Sequence, residues 1–185
     1  MALTPSSMMP LGTPAPDFLL PDTVSGRTLA FRDVQGESGT LVMFICNHCP
    51  FVIHIREGLA ALGRDYQDSG IGIVAISAND VETHPEDSPE NMQRFARESG
   101  FVFPYLYDES QAVAQAYGAA CTPDFFLFDG RAACVYRGCF DASRPGNDVP
   151  VTGDALRGAM QAVLAGDAVD QDQQPSMGCN IKWKS

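Results

Sequence analysis

Basic residues are scarce in this chain. Twelve Lys and Arg stand against 23 Asp and Glu, a formal net charge of −11 over 185 residues. So acidic a body repels phosphate backbones and anionic lipid surfaces, which argues against nucleic acid and membrane as partners. Long apolar runs are missing too, and none approaches the ~20 residues that span a bilayer. The first ten residues hold no Lys or Arg and no extended apolar stretch. They do not read as a secretory signal, so the expected location is the cytoplasm. There is no internal repeat, no GxGxxG and no Walker-type phosphate loop, and no cofactor is expected. In a thiol-reducing compartment the six cysteines do not form a disulfide framework. They are catalytic, metal-binding or simply buried.

What is present alternates between short apolar runs and amphipathic stretches. Phe18–Asp22 and Thr28–Phe31 flank a turn-like Val24-Ser25-Gly26 and read as a hairpin. Leu41–Ile45 and Ile71–Ile76 are uninterrupted apolar runs, which suit strands buried on both faces. Between them Phe51, Ile55, Leu59, Leu62 and Tyr66 fall on one helical stripe, with Pro50 in the first turn. Pro89–Glu98, Glu109–Tyr117 and Gly153–Leu164 read as further helices, Phe103–Tyr107 as a short strand. Asp124–Phe128 and Ala132–Arg137 flank Asp129-Gly130, a hairpin signal. The order predicts an α/β fold with a mixed central sheet and helices on both faces. It also gives an N-terminal extension (1–13), one domain (14–167) and a C-terminal tail (168–185).

The chemistry concentrates in Cys46-Asn47-His48-Cys49, after a predicted buried strand and at the opening of a predicted helix. In open α/β sheets ligands bind outside the C-terminal ends of the strands. Residues three apart on a helix have Cβ atoms roughly 5–6 Å apart, and a disulfide needs about 3.8 Å. The first turn can close that gap, so the pair can cycle between dithiol and disulfide. A thiol with an ordinary pKa near 8.5 is only about 3% thiolate at pH 7. The positive end of the helix dipole and a protonated His48 both favour the anion. Cys46 is expected to be the more exposed thiol and the nucleophile, with Cys49 poised to resolve the mixed disulfide. The competing readings are half of a structural zinc site and inert buried thiols. Cysteines 121, 134, 139 and 179 form no second CxxC, which weighs against zinc.

Cys121-Thr122-Pro123 precedes the strand Asp124–Phe128, where a cis X-Pro bond can form a tight turn. A buried strand, a CxxC, a long helix and a Thr-Pro before a hairpin resemble the thioredoxin fold. The stretches Cys49-Pro50-Phe51-Val52, Ser77-Ala78-Asn79-Asp80, Cys121–Phe126, Asp141–Asn147 and Gly178–Lys184 resemble its peroxiredoxin-like redoxin branch. That branch is related to the alkyl hydroperoxide reductase/thiol-specific antioxidant family, and its members are often called thiol–disulfide isomerases. The resemblance implies Cys46 as nucleophile and Cys49 as resolving thiol. It implies that Thr122 offers backbone hydrogen bonds to an extended substrate by β-augmentation and that Pro123 shapes the groove. It implies protein or small-thiol disulfides as substrates and a reductant such as the thioredoxin or glutathione system. Two alternatives stand beside this, a thiol-dependent peroxidase with an antioxidant role and a copper(I)-binding chaperone.

The departures from the pattern are specific. Thr40 stands where thioredoxins carry a buried Asp. With Cys49 as peroxidatic residue, Val42 and Cys46 replace the Pro and Thr of true peroxiredoxins, and Pro123 stands about where their Arg does. Cys179, in a tail that Ile181 and Trp183 would anchor, is a candidate third redox thiol, and Cys121 is another. Cys134 and Cys139 read as packing and His54 as an ordinary helical residue. His84 with Asp80, Glu82, Glu86 and Asp87 reads as a solvated acidic loop, because the spacing matches no EF-hand.

Overall fold

The computed structural model describes residues 3–185. In chain order the elements are β1 (Leu3–Pro5), β2 (Leu19–Pro21), β3 (Thr28–Ala30), α1 (Phe31–Val34), β4 (Gly39–Phe44), α2 (Pro50–Asp65), β5 (Ile71–Ser77), a 3-10 turn (Pro85–Asp87), α3 (Pro89–Ser99), β6 (Tyr105–Tyr107), α4 (Ala112–Tyr117), β7 (Cys121–Thr122), β8 (Asp124–Asp129), β9 (Cys134–Gly138), α5 (Asp154–Ala165) and β10 (Met177–Asn180).

The apolar run 41–45 lies in the middle of a five-stranded sheet of order β6-β5-β4-β8-β9. β4, β5 and β6 are parallel, and β8 and β9 join antiparallel. Alternation along β4 divides the core. Leu41, Met43 and Ile45 face one apolar layer with Val52, Ile55, Leu59 and Leu62 of α2, Met92 and Phe95 of α3, and Leu156 and Met160 of α5. Val42 and Phe44 face a second layer with Phe18, Leu20, Leu29, Phe31, Ala114 and Tyr117. Both faces of the central strand are therefore covered, which is why its sequence shows no polar alternation. The mixed sheet with helices on both faces is the expected one. Among the described residues no helix is long and apolar enough to cross a membrane.

Three expectations are corrected. Phe31 opens α1 rather than closing a strand. There the Asp33 carboxylate accepts the Ala30 N–H at 2.8 Å, so the chain turns one residue early. The Asp129-Gly130 connection is longer than a two-residue hairpin. Phe128 pairs with Cys134, and Asp129 Oδ1 accepts the N–H groups of Arg131 and Ala133. Trp183 does not anchor the tail, being 42% exposed, whereas Ile181 is buried. The tail is held mainly through its backbone. β10 adds antiparallel to β7, and β1 adds to the outer side of β10, giving a second sheet β1-β10-β7.

Candidate functional site

Strand β4 ends at Phe44, and the next residue still pairs with the sheet, Ile45 N–H donating to the Ile76 carbonyl at 3.0 Å. The chain then leaves the sheet through Cys46-Asn47-His48. Cys49 is the N-cap of α2, with Pro50 at the first helical position, where a missing N–H costs nothing. On the far side the Thr122–Pro123 peptide is cis, as expected, and lies against the pair. Cys46 Sγ is 3.3 Å from Thr122 Oγ1, and Cys49 Sγ is 3.2 Å from the Thr122 carbonyl oxygen. Both sulfurs thus rest on Thr122, Cys46 on its hydroxyl and Cys49 on its carbonyl. A third sulfur completes the cluster, because Cys179 Sγ lies 2.9 Å from Cys49 Sγ.

Of the residues singled out from sequence, Cys46, Cys49, His48, Thr122, Pro123 and Cys179 meet in one place. Cys121 does not join them. Neighbours on a strand face opposite ways, and the Cys121 sulfur finds the Pro123 carbonyl at 3.6 Å. Burial, helped by the Asp124 charge, pushes that thiol far above its ordinary range.

Two expectations about the pair change. Cys46 is not the exposed thiol, since it is 1% exposed and Cys49 0%. The surface opens beside them instead, at half-buried His48 and Phe51 and exposed Pro50. Next to Pro123, Phe51, His54 and Met177 line a groove of about 170 Å³. The β-edge at Thr122 is not vacant for a substrate strand, because Thr122 pairs with Cys179 of β10.

Sequence reasoning missed one residue of the site. Asp87 reads as part of a solvated acidic loop, yet it is 0% exposed. Its Oδ1 accepts the Asn47 N–H at 2.7 Å; its Oδ2 accepts Asn79 Nδ2 at 2.8 Å and lies 2.7 Å from His48 Nδ1. Burial opposes ionisation of this carboxyl, but the bonds from His48, Asn79 and the Asn47 N–H outweigh it and hold it below the usual carboxylate range. In return its hydrogen bond raises His48. Tyr105, also buried, points its hydroxyl at Asn47 Oδ1, 3.1 Å away. The only sequence sign was the nearby Pro85 and Ser88, which mark a turn without saying which acid turns inward.

The thiols are tuned by each other first. The central position of Cys49 lets it receive a hydrogen bond from Cys46. Burial opposes its ionisation, but a second bond from Cys179 and the Val52 N–H help hold it down to about 4. Cys46 is pushed up, by that same bond to Cys49, by burial and by the Asp87 charge. The Thr122 carbonyl accepts only from a protonated Cys49, whereas the Thr122 hydroxyl can donate to an ionised Cys46. One proton therefore serves the pair, and its transfer from Cys46 to Cys49 arms Cys46 as the pair titrates as a unit. The ligand atoms of Cys46, His48 and Asp87 lie within 4.8 Å of one another. His48 Nδ1 and Asp87 Oδ2 are already engaged with each other at 2.7 Å.

Known proteins share this frame. A protein from Geobacillus kaustophilus whose crystal structure is described as that of an uncharacterized conserved protein is 53% identical, with a TM-score of 0.98, over 100% of this chain and 97% of that one. The thioredoxin domain of a thiol-disulfide oxidoreductase from Bacteroides vulgatus, 19% identical, superposes with a TM-score of 0.59 over 70% of this chain and 89% of that one, so the fold is thioredoxin-like. Thiol-disulfide oxidoreductase ResA of Halalkalibacterium halodurans is 28% identical over 129 residues, 70% of this chain and 68% of that protein. The AhpC/TSA family model matches residues 11–137, a span that runs from the N-terminal segment through the CxxC and the cis-proline to the end of the β8–β9 hairpin, and the chain belongs to the AhpC/TSA family.

Proposed function

We propose that this chain is a thiol–disulfide oxidoreductase that passes electron pairs through Cys46 and Cys49. The observation that carries the reading is the pair itself, two cysteine sulfurs at the start of α2 that both contact Thr122 of the cis-proline loop, one at its hydroxyl and one at its carbonyl. Cys46 gives its proton to the Cys49 thiolate and attacks one sulfur of a substrate disulfide. The other substrate sulfur leaves as a thiolate. Cys49 then attacks Cys46 in the mixed disulfide, its proton goes to the second departing substrate sulfur, and the Cys46–Cys49 disulfide remains. The substrate gains two electrons and the pair loses two. Run in reverse, the same steps oxidise a dithiol, and the reduction potential of the pair sets the direction.

Protein disulfides and small-molecule disulfides are the substrate class, and the thioredoxin or glutathione system is the source of electrons. The likeness to ResA supports this chemistry. A reducing compartment such as the cytoplasm would keep the sulfur cluster as thiols between turnovers. With β10 on the Thr122 edge, substrates approach from the side of His48, Pro50 and Phe51.

The test is turnover of a disulfide reporter together with trapping. Cys49→Ser should accumulate a mixed disulfide on Cys46, and Cys46→Ser should abolish turnover. Equal turnover by Cys46→Ser and the wild type would refute the reading. A thiol peroxidase with an antioxidant role is the second reading, favoured by the family match. Its polarising Arg has no counterpart at Pro123, and each missing donor of that kind costs roughly 10²–10³ in rate. Hydrogen-peroxide turnover measured beside disulfide turnover separates the two.

A further inference from the structure

We propose that Cys179 is a third redox residue, which attacks Cys49 in the Cys46–Cys49 disulfide, forms a Cys49–Cys179 disulfide and releases Cys46 as a thiol. The proposal rests on the oxidoreductase reading, because that reaction supplies the disulfide on which Cys179 acts.

Three independent features converge on this step. The first is contact. Cys49 Sγ lies 2.9 Å from Cys179 Sγ, about 0.9 Å beyond a disulfide bond. The second is placement by backbone rather than by a loose tail. Cys179 is directly opposite Thr122 in the β10–β7 ladder and opposite Leu3 on the other side. Gly178 presses so closely on the Thr122 carbonyl that a Cβ there would collide with it. The flanks are stitched down as well. Ser176 Oγ donates to the Pro123 carbonyl at 2.6 Å, Ile181 N–H to the Ala120 carbonyl at 3.2 Å, and Lys182 N–H to Asn79 Oδ1 at 2.8 Å. The third is the leaving group. Attack at Cys49 expels Cys46, whose sulfur lies against the Thr122 hydroxyl, a donor able to stabilise the departing thiolate.

The exchange balances without an outside oxidant. The Cys46–Cys49 bond breaks, the Cys49–Cys179 bond forms, and the proton of Cys179 ends on Cys46. The protein remains two electrons oxidised, but the oxidised state now has two forms. One consumes Cys46. The other leaves Cys46 as a thiol and ties the C-terminal strand covalently to the N-cap of α2.

The test uses the full-length chain. Reduced protein is oxidised with oxidised glutathione and acid-quenched, and its bridges are mapped by peptide mass spectrometry. The wild type should contain both bridges, the Cys49–Cys179 form making up about a tenth or more of oxidised molecules, the share left by a tenfold preference for the other. Cys46→Ser, which lacks the disulfide on which Cys179 acts, should give neither bridge, and Cys179→Ser should give Cys46–Cys49 alone. Alkylation of the oxidised wild type should label Cys46 in the minor fraction only. A wild type that holds solely Cys46–Cys49, with Cys179 always alkylated, overturns the proposal and leaves the oxidoreductase reading intact. Absence of Cys46–Cys49 from Cys179→Ser overturns the oxidoreductase reading itself, so the two failures are distinct.

Discussion

Replacing Asp87 by Asn probes the polar support of the site without touching a sulfur. The native carboxylate, 0% exposed, is held by three groups, the Asn47 N–H at 2.7 Å, His48 Nδ1 at 2.7 Å and Asn79 Nδ2 at 2.8 Å. An amide offers one oxygen and turns an NH₂ toward at least one of these donors. At least one charge-assisted bond is lost and one buried donor is left facing another. Hydrogen bonds to charged groups contribute about 1.5–3 kcal/mol each. The expected loss is therefore about 2–3 kcal/mol, or about 4–12 °C in Tm for a chain of this size.

The pH profile gives the sharper test. His48 is raised by Asp87, so its contribution is complete below about pH 6.5 and is lost as pH rises through the folded-state value. Asp87 is lowered, so its contribution is present above about pH 4 and is lost as pH falls through its own folded-state value. The pair thus stabilises most between roughly pH 4 and 6.5. In denaturant unfolding from pH 5.5 to 8.5, the gap between the wild type and Asp87→Asn should be widest at the acidic end. It should narrow upward with a slope of at most about 1.4 kcal/mol per pH unit, the limit for one proton. A gap that stays flat over that range, or no gap, would refute the argument.

Other expected outcomes follow from the same geometry. Removing His48 with Ala leaves the Asp87 charge uncompensated beside Cys46, so thiol alkylation rates against pH should show a higher Cys46 pKa, and the pair's potential should fall because the reduced thiolate form is less favoured. Thr122→Val removes the one hydroxyl on Cys46 while keeping shape, and disulfide turnover should drop by roughly tenfold, the kinetic equivalent of about 1.4 kcal/mol of a lost hydrogen bond, with the fold unchanged by circular dichroism. Gly178→Ala places a methyl against the Thr122 carbonyl, and the overpacking should cost about 1–3 kcal/mol while making Cys179 alkylate faster in the reduced protein. Hydrogen-peroxide turnover should be far slower than disulfide turnover.

The sequence was most informative where the chain speaks locally. Runs such as 41–45 and 71–76 suit strands buried on both faces, and both form strands, β4 buried throughout and β5 over most of its length. Pro50 and Pro89 marked helix starts, and they occupy the first positions of α2 and α3. Cys46-Asn47-His48-Cys49 and Thr122-Pro123 announced the site and its cis turn because their chemistry is carried by neighbours in the chain. The reading failed where burial depends on distant segments. Five acids and histidines between 80 and 87 look alike in composition, yet Asp80 and Asp87 are buried, and of the two it is Asp87 that meets Asn47, His48 and Asn79. The last strand was invisible for a related reason. Met177–Asn180 has no apolar alternation, and it is a strand only because β7 and β1 supply partners on either side.

The α/β layering, the acidic surface and the CxxC at a strand-to-helix junction are legible in the amino-acid order, since each follows from periodicity, charge or spacing within a few residues. Long-range packing alone puts both sulfurs under cover, sets β10 on the edge at Thr122, and brings a cysteine 130 residues away in sequence to 2.9 Å from Cys49. Those outcomes depend on which backbone groups find each other across the whole chain. No local pattern encodes that choice, because it is made by the packing of segments that never meet in the sequence.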